Sequence, residues 1–292
     1  MTNERGSSPS PFSPSPSAGD PLNVTIDELE VVFRYCPPGT FLMGDPDEPL
    51  RKHNYVYQHQ VTLTKGFWLL ETPVTQELWT SMKKWEWVYK WNPAHNKGEN
   101  LPVECVSWRD CAKYTKTLNK SGVAPKGLAF DFPTEAEWEY ACRAGTTTRY
   151  YFGDELTPEE ANFGNNVGHT TPVKSYAPNA WGLYDMHGNV REFCSDWYEF
   201  YPTEPVTDPT GGVRRSERVD RGGSFCSHPG CCESACRGTC PVTFTGTNVG
   251  FRLVLRDAES IQEEPGKAKA GKAKTGKAKT GEAKTGEAKA GE

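Results

Sequence analysis

The sequence predicts an α+β fold with short strands, about three helices and much irregular backbone. The regular patterns are short, turn-forming residues are frequent, with 28 Gly and 23 Pro in 292 residues, and three segments carry helix-start signals. Aromatic residues make up 12% of the chain. We therefore expect a core packed around rings, among them Trp68, Trp79, Trp108, Trp138 and Trp181.

Strand patterns occur in both halves of the chain. Residues 31–36 and 41–44 flank the turn-forming sequence Pro37-Pro38-Gly39-Thr40, which predicts a hairpin. Residues 59–64 alternate as a half-buried strand does, and a strand is predicted at 67–70. Further strands are predicted near 218–225 and 250–255.

Helix starts are predicted at Thr75, Ser107 and Thr134. Thr134 and Glu137 have the spacing of a capping box, in which the two side chains satisfy each other's backbone N–H groups. Gly145 supplies the stop signal for that third helix.

Three segments differ in composition. Residues 1–21 are rich in Ser and Pro and are predicted to be disordered. Residues 22–257 have no linker-like break and are predicted to form one domain. Residues 258–292 are predicted to be a disordered tail, which from Gly266 repeats five-residue units of the GKAKT type.

Charge and hydropathy exclude several functions. The whole chain has a formal net charge of −5. The tail from Gly266 carries eight Lys and three Glu, a net charge of +5, so residues 1–265 carry a net charge of about −10. An acidic body does not favour specific nucleic-acid binding. No stretch approaches the roughly 20 apolar residues of a membrane span. The N-terminus lacks the apolar segment of a secretory signal, which predicts a cytoplasmic protein whose cysteines are mostly thiols.

Five cysteines cluster at positions 226, 231, 232, 236 and 240. The intervals of 5, 1, 4 and 4 residues differ from the paired spacing of zinc ribbons. A redox-active thiol pair would require a lowered pKa, which the sequence cannot show.

Asp185 and Glu192 lie seven residues apart around a Gly-containing turn. With backbone carbonyls they could surround calcium, which favours six to eight oxygen ligands. The alternative is a turn whose carboxylates cap nearby N–H groups.

Seven segments, taken together, resemble the sulfatase-modifying-factor family, whose founding member is the formylglycine-generating enzyme. They occur in the family's order and cover roughly residues 30–256. The resemblance implies a formylglycine-generating-enzyme-like variant of the C-type lectin fold. The segments are PGTFLMG (38–44), TPVTQ (72–76), LPVECVSW (101–108), FPTEAEWEYACRAG (132–145), NAWGLYDMHGNV (179–190), RGGSF (221–225) and NVGFR (248–252).

The resemblance also implies structural calcium. One site of the enzyme maps to Asp185, Gly188, Val190 and Glu192, and a second site, in a loop that is shorter here, maps to Asn162, Phe163, Asn165 and Val167.

The enzyme holds copper(I) between two thiolates, and the matching positions here are Ser227 and Cys232. Ser224 matches an active-site serine. A Ser hydroxyl is hard and stays protonated near neutral pH, so it cannot replace a thiolate on copper(I). Cys226 and Cys231 keep the five-residue interval one position earlier, where side chains of an extended segment point to the other face.

Segment 226–247, CSHPGCCESACRGTCPVTFTGT, contains no Lys, Gln, Met or Trp and only one Glu. It resembles the segment that a retroelement rewrites in diversified members of this fold, where the rewritten side chains line the ligand-binding face. The alternative is an ordinary loop of small residues. The predicted ligand-binding residues are Arg191, Cys226, Ser227, His228, Gly230, Cys231, Cys236, Gly238, Thr239, Cys240, Val242, Phe244 and Gly246.

The leading hypothesis is a non-enzymatic protein that binds an unidentified protein or other macromolecular ligand. The alternative is a copper-dependent oxidase acting on a peptide cysteine through Cys226 and Cys231, or through Cys231 and Cys232. A third possibility is an accessory factor with structural duties only.

Overall fold

Three β-sheets and three α-helices organise residues 15–47, 56–82, 91–213 and 216–261, the parts of the chain that the computed structural model describes. The helices are α1 (Gln76–Ser81), α2 (Trp108–Ser121) and α3 (Glu135–Arg143). The strands are β1 (Pro21–Ile26), β2 (Leu29–Cys36), β3 (Gly39–Met43), β4 (His59–Leu63), β5 (Phe67–Leu70), β6 (Leu128–Asp131), β7 (Arg191–Trp197), β8 (Val206–Thr207), β9 (Glu217–Arg221), β10 (Arg237–Pro241), β11 (Val249–Phe251) and β12 (Val254–Asp257).

The first sheet has the strand order β1-β2-β5-β12-β6, the second β10-β9-β7-β11, and the third β3-β4-β8. The predicted α+β fold class is confirmed. No helix within the described ranges is long and apolar enough to cross a bilayer.

All three predicted helix starts are confirmed, because their signals are local. Thr75 accepts a hydrogen bond from the Leu78 N–H at 3.1 Å. Thr134 accepts from the Glu137 N–H at 3.1 Å, and its own N–H donates to Glu137 Oε2 at 2.7 Å. Helix α3 ends at Arg143, and its capping residue Ala144 has a φ of 46°, directly before the predicted stop at Gly145.

The predicted hairpin of residues 31–44 is wrong, although both of its strands exist. Strand β2 pairs with β1 on one edge and β5 on the other. Strand β3 pairs with β4 in another sheet. Since both edges of β2 are already satisfied, no backbone groups remain there for β3 to pair with.

The single strand predicted near 250–255 is in fact two strands in different sheets. Strand β11 runs parallel to β7 in the second sheet, and β12 is antiparallel to β5 in the first. Arg252 and Leu253 lie between them, and both are fully buried. The strand predicted at 218–225 ends at Arg221, where Gly222 and Gly223 adopt φ values of 88° and 66°.

The N-terminal segment predicted to be disordered includes residues that the structure ties to the first sheet. Gly19 N–H donates to Tyr35 O at 2.9 Å, and Tyr35 N–H donates to Asp20 O at 3.0 Å. Residues 1–14 lie outside the described residues. Of the predicted tail, residues 258–261 are described and include a 3₁₀ turn at Ala258–Ser260, whereas the pentapeptide repeats lie outside.

Aromatic rings fill the core, as the composition indicates. Trp79 stacks on Tyr114 with ring centroids 4.9 Å apart, and the edge of Phe251 meets both rings. A second cluster surrounds Trp138, which is fully buried. Trp68, Trp108 and Trp181 are only half-buried.

Candidate ligand-binding face

Glu192 is part of a buried ion pair that joins two sheets. Its Oε1 accepts from Arg252 Nη2 at 2.7 Å. Its Oε2 accepts from Arg252 Nε at 2.9 Å and from Trp138 Nε1 at 2.7 Å. Glu192 lies on β7, and Arg252 lies where the chain passes from β11 in the second sheet to β12 in the first. This bidentate ion pair therefore holds that connection against β7.

Asp185 lies in the same predicted calcium site but retains an unsatisfied oxygen. Its Oδ2 accepts from the Lys174 N–H at 2.9 Å. The buried Oδ1 has no hydrogen bond of ordinary geometry among the described residues, although the Asn189 side chain lies close enough to lower the pKa of the carboxyl group. Burial raises the pKa of Asp185 to about 6. A buried carboxylate oxygen without a partner is costly, and a bound cation would supply that partner. Asp185 therefore fits a hard cation, whereas Glu192 already has a positively charged partner.

The second predicted cation site adjoins the first. The backbone of Asn162 bridges to that of Gly188, and Asn162 O accepts from the Asn189 N–H at 2.8 Å. The buried Asn162 Oδ1 also has no hydrogen-bond partner in the described ranges. Asn165 and Val167 are exposed, while Phe163 is buried. Within those ranges, no three His, Cys, Asp or Glu side chains come together in a metal-binding group.

The two positions that match the enzyme's catalytic thiols carry no thiolate. Ser227 Oγ lies 2.8 Å from Ser224 Oγ and accepts from the Ser224 N–H at 3.0 Å. Cys232 is fully buried, and a Cβ atom at Gly223 would lie 2.4 Å from its Sγ. Burial raises the pKa of Cys232 to about 12. The pair therefore consists of a hydroxyl that bonds another hydroxyl and a protonated, covered thiol.

The pKa of Cys231 is lowered by a neighbour that the sequence analysis did not select. The Cys236 thiol interacts with the side chain of Cys231 and lowers the pKa of Cys231 to about 6, and His228 and Arg191 act in the same direction. Cys226 instead contacts Ser224 Oγ and Asn248 Nδ2, each at 3.5 Å. The five-residue interval between Cys231 and Cys236 was visible in the sequence, but its significance depends on how the loop folds.

Most of the predicted ligand-binding residues reach the surface. Twelve of the thirteen are exposed or half-buried, including Arg191 on β7. The exception is Cys240, which is only 3% exposed and donates from Sγ to Asp220 Oδ2 at 3.1 Å. The assignment of Cys240 to the binding face is therefore wrong, because on β10 its side chain points inward to a buried carboxylate. Asp220 also accepts from Arg191 Nη1 at 3.2 Å.

Segment 226–247 also contains buried residues that anchor it, which sequence reasoning missed. Arg237 donates from Nε to Glu135 Oε1 at 2.8 Å, and its Nη2 pairs with Oε2. Arg221 Nη1 donates to the carbonyls of Ala235 and Cys236 at 2.9 and 2.6 Å. These bonds hold the backbone between the exposed positions.

Trp197, the last residue of β7, is half-buried. The Arg218 guanidinium lies between two indole rings, 3.6 Å from the Trp197 ring centre and 3.9 Å from that of Trp108. This cation–π stack supports the adjacent β9 and β7.

The three short sheets, the capped helices and the long loop 222–236 define a formylglycine-generating-enzyme-like variant of the C-type lectin fold. A family model described as the sulfatase-modifying factor enzyme 1-like domain matches residues 28–257, and the chain belongs to this family.

Two formylglycine-generating enzymes show the relation in sequence. The Streptomyces coelicolor enzyme is 39% identical over 173 residues, which cover 52% of this chain and 52% of that protein. The Mus musculus enzyme is 32% identical over 195 residues, covering 60% and 50%. The chain thus spans about half the length of the curated relatives it matches.

Two solved structures share the fold over most of the chain. Treponema denticola variable protein 1 superposes with a TM-score of 0.71 at 26% identity, covering 81% of this chain and 99% of that one. PvdO from Pseudomonas aeruginosa superposes with a TM-score of 0.69 at 25% identity, covering 83% and 100%.

Proposed function

We propose that this protein binds a macromolecular ligand without catalysing a reaction, and that the exposed part of segment 226–247 forms the binding face. The observation that carries the proposal is the Ser227–Ser224 hydroxyl pair at 2.8 Å, beside the buried, protonated Cys232. Copper(I) binds soft thiolates, so a hydroxyl and a covered thiol are a poor donor set for it.

The composition of this face suits a protein or another macromolecule. Cys226, His228 and Cys231 are exposed on one loop, and Phe244 is 38% exposed on the next. Arg191 adds a guanidinium that Asp220 holds in place. Aromatic residues and Arg are among the residue types that are enriched in protein interfaces.

Rigid anchoring beneath the face supports the same proposal. Arg237 and Arg221 hold the segment from below, so little backbone entropy is lost in ordering the loop when a ligand binds. Similarity to a variable protein supports the interpretation that this face is diversified.

Sister sequences and the DNA beside the gene test that interpretation. We expect sister chains to differ at exposed positions such as Cys226 and Thr245 and to retain Arg237. A near-copy of the coding sequence for residues 226–252, differing only at adenines, is expected beside a reverse transcriptase gene. Identical sister sequences without such a near-copy would show that segment 226–247 is an ordinary loop and not a diversified one.

We also propose that the loops bind calcium as a structural ion. Asp185 would supply the acidic ligand and Asn162 an amide oxygen, because each has a buried oxygen with no hydrogen-bond partner in the part of the chain that the structure describes. At 100 times its dissociation constant calcium would stabilise the fold by about 2.7 kcal/mol. That corresponds to roughly 5–10 °C in Tm for a domain of this size.

The test compares Tm in calcium and in chelator for the wild type, Asp185→Asn and the exposed control Glu159→Gln. We expect calcium to raise Tm in the wild type and the control but not in Asp185→Asn. Equal Tm values in calcium and chelator for the wild type would overturn the calcium proposal.

A copper-dependent oxidase is the second candidate, favoured by one observation, the exposure of both Cys226 and Cys231, thiols that are five residues apart. The deciding assay incubates copper(I)-loaded protein with a cysteine-containing sulfatase peptide and follows oxygen uptake and peptide mass. We expect no oxidised peptide from the wild type. Oxidised peptide from the wild type would refute the binding-only function. Loss of that oxidation in Cys226→Ser, Cys231→Ser, Cys232→Ser or Cys236→Ser would then identify the thiols used.

A further inference from the structure

A cavity of about 270 Å³ lies between the end of β7, the start of α3 and residues 199–212. Its volume is just below the roughly 300–1,000 Å³ of pockets that hold drug-sized ligands, so it suits a smaller molecule. Segment 226–247 reaches this cavity at the buried Arg237. The exposed residues of the proposed binding face, all of them described, are not among those that line it. The cavity is therefore a second place at which a ligand could bind.

Much of the cavity wall is apolar. Met43 is buried on one side, and Phe200, which is 62% exposed, stands on another. Tyr201 is held in place, because its hydroxyl donates to Glu135 Oε1 at 2.9 Å and its ring centre lies 4.9 Å from that of His59. The apolar part of a ligand would cover aromatic surface that water contacts in the empty cavity, which favours binding.

Gly211 forms the part of the wall that lies against Asp196. It adopts a φ of 77°, and a Cβ atom there would lie 2.7 Å from Asp196 Cβ. A residue without a side chain allows this approach. The Gly212 N–H also donates to Trp197 O at 3.3 Å, which ties this loop to the end of β7. The loop is therefore packed closely against the side of the Asp196 carboxyl group.

Asp196 is an acidic group of the cavity that lacks a cationic partner. It is only 3% exposed. Its Oδ2 accepts from the Glu135 N–H at 2.8 Å and from Ser195 Oγ at 3.1 Å. Its Oδ1 accepts no hydrogen bond from the described residues, and none of them forms an ion pair with Asp196. Because a buried carboxylate without a compensating charge is costly, a cation in the cavity would lower that cost.

Glu135, a second carboxylate that lines the cavity, is already compensated. Arg237 donates to it from Nε at 2.8 Å and pairs with it through Nη2, and Arg221 Nη1 lies 3.8 Å from Oε1. The remaining Nη1 of Arg237 donates to Glu199 O at 2.7 Å. The Arg237 guanidinium is thus committed to other partners, and Asp196 remains the carboxyl group that can accept a ligand.

His59 adds another acceptor to the residues that line the cavity. Its Nδ1 lies 3.1 Å from Tyr57 O. Since a carbonyl oxygen can only accept, Nδ1 carries the proton of the neutral ring and Nε2 is an acceptor. A carboxylate oxygen and a ring nitrogen, both acceptors, favour a ligand that donates hydrogen bonds and carries a positive charge.

We propose that this cavity binds a small organic amine, with its ammonium group on Asp196 Oδ1 and its apolar part against Phe200 and Val206. An ammonium group donates charge-assisted hydrogen bonds to a carboxylate and is attracted to aromatic faces. Burial and Glu135 raise the pKa of Asp196 to about 7, so at about pH 8 most of its carboxyl group is ionised.

The experiment titrates the full chain with benzylamine by calorimetry at about pH 8. Benzyl alcohol, which has nearly the same size and shape but no charge, is the control ligand. We expect a Kd of about 1 mM or tighter for benzylamine, and binding at least about tenfold weaker for benzyl alcohol. The benzylamine ammonium donates to the carboxylate, so the wild type should discriminate between the two ligands.

Asp196→Asn keeps the shape of the side chain and removes its charge. We expect this variant to bind benzylamine about 10- to 100-fold more weakly and to bind benzyl alcohol as the wild type does. The matched control is Asp154→Asn, which changes an exposed acidic residue of another cavity and should leave both affinities unchanged. Circular dichroism confirms that each variant is folded.

Equal affinities of the wild type for the amine and the alcohol would overturn the proposal, and that comparison does not depend on any variant folding. Absence of benzylamine binding up to about 10 mM would also overturn it. So would an unchanged benzylamine affinity in Asp196→Asn, or an equal loss in Asp154→Asn, since the amine would then bind the acidic surface without using this cavity.

Discussion

Arg237 lies within the predicted binding segment, yet its guanidinium is buried against Glu135. The side chains of Arg237 and Glu135 are 2% and 5% exposed. The guanidinium also lies 4.1 Å from the ring centre of Tyr201. We predict that Arg237→Ala destabilises the fold strongly, although the flanking exposed positions tolerate change.

The magnitude follows from what remains beside Glu135 after the substitution. Removing one partner of a buried ion pair typically costs about 3–5 kcal/mol, since the other charge loses its compensation. Arg221 Nη1 stays 3.8 Å from Glu135 Oε1, and Tyr201 Oη donates to the same oxygen at 2.9 Å. These groups place the expected loss near the lower bound, about 3 kcal/mol, which corresponds to roughly 6–12 °C in Tm.

The assay is denaturant and thermal unfolding of Arg237→Ala beside Thr245→Ala, an exposed position of the same segment. The control should stay within about 0.5 kcal/mol of the wild type. In a double-mutant cycle with Glu135→Gln, the double variant should lose about 1–3 kcal/mol less than the sum of the single variants. A loss below about 1 kcal/mol for Arg237→Ala would refute the division into anchored and replaceable positions.

Two further predictions concern the scaffold. Gly188→Ala should cost at least 2 kcal/mol more than Gly145→Ala in denaturant unfolding. Both glycines have positive φ, but a Cβ at residue 188 would lie 2.2 Å from Asn162 O, whereas a Cβ at residue 145 would have no atom of the described residues within 4 Å, apart from its own chain neighbours. Asp196→Asn should flatten the pH dependence of stability between pH 4 and 7. Burial and Glu135 raise the pKa of Asp196 to about 7, so the folded protein favours the protonated carboxyl group. The free energy of unfolding should therefore fall by on the order of 4 kcal/mol as pH rises through that window. Equal losses for the two Gly variants, or unchanged pH dependence, would contradict these predictions.

Local signals in the chain predicted their elements well. Thr134 and Glu137 are three residues apart, and the capping box they form needs nothing from the rest of the fold. Strand partners were not predictable in the same way. The hairpin signal at Pro37-Pro38-Gly39-Thr40 identified two real strands, but β1 and β5 compete for the edges of β2 and occupy both.

The candidate site shows the same division. That Ser227 stands where the enzyme has its first thiol is a property of the sequence. Packing between strands and loops decides that Cys240 is buried against Asp220 and that Gly223 covers Cys232.

The sequence by itself determined the family and the helix starts, and it predicted a Ser at one of the two thiol positions, because each depends on residue identity at a few nearby positions. Only the tertiary structure decided that Arg237 anchors the segment from below, and which oxygens of Asp185 and Asn162 lack partners among the described residues. The physical reason is that contact, burial and pKa depend on groups that are brought together from distant parts of the chain.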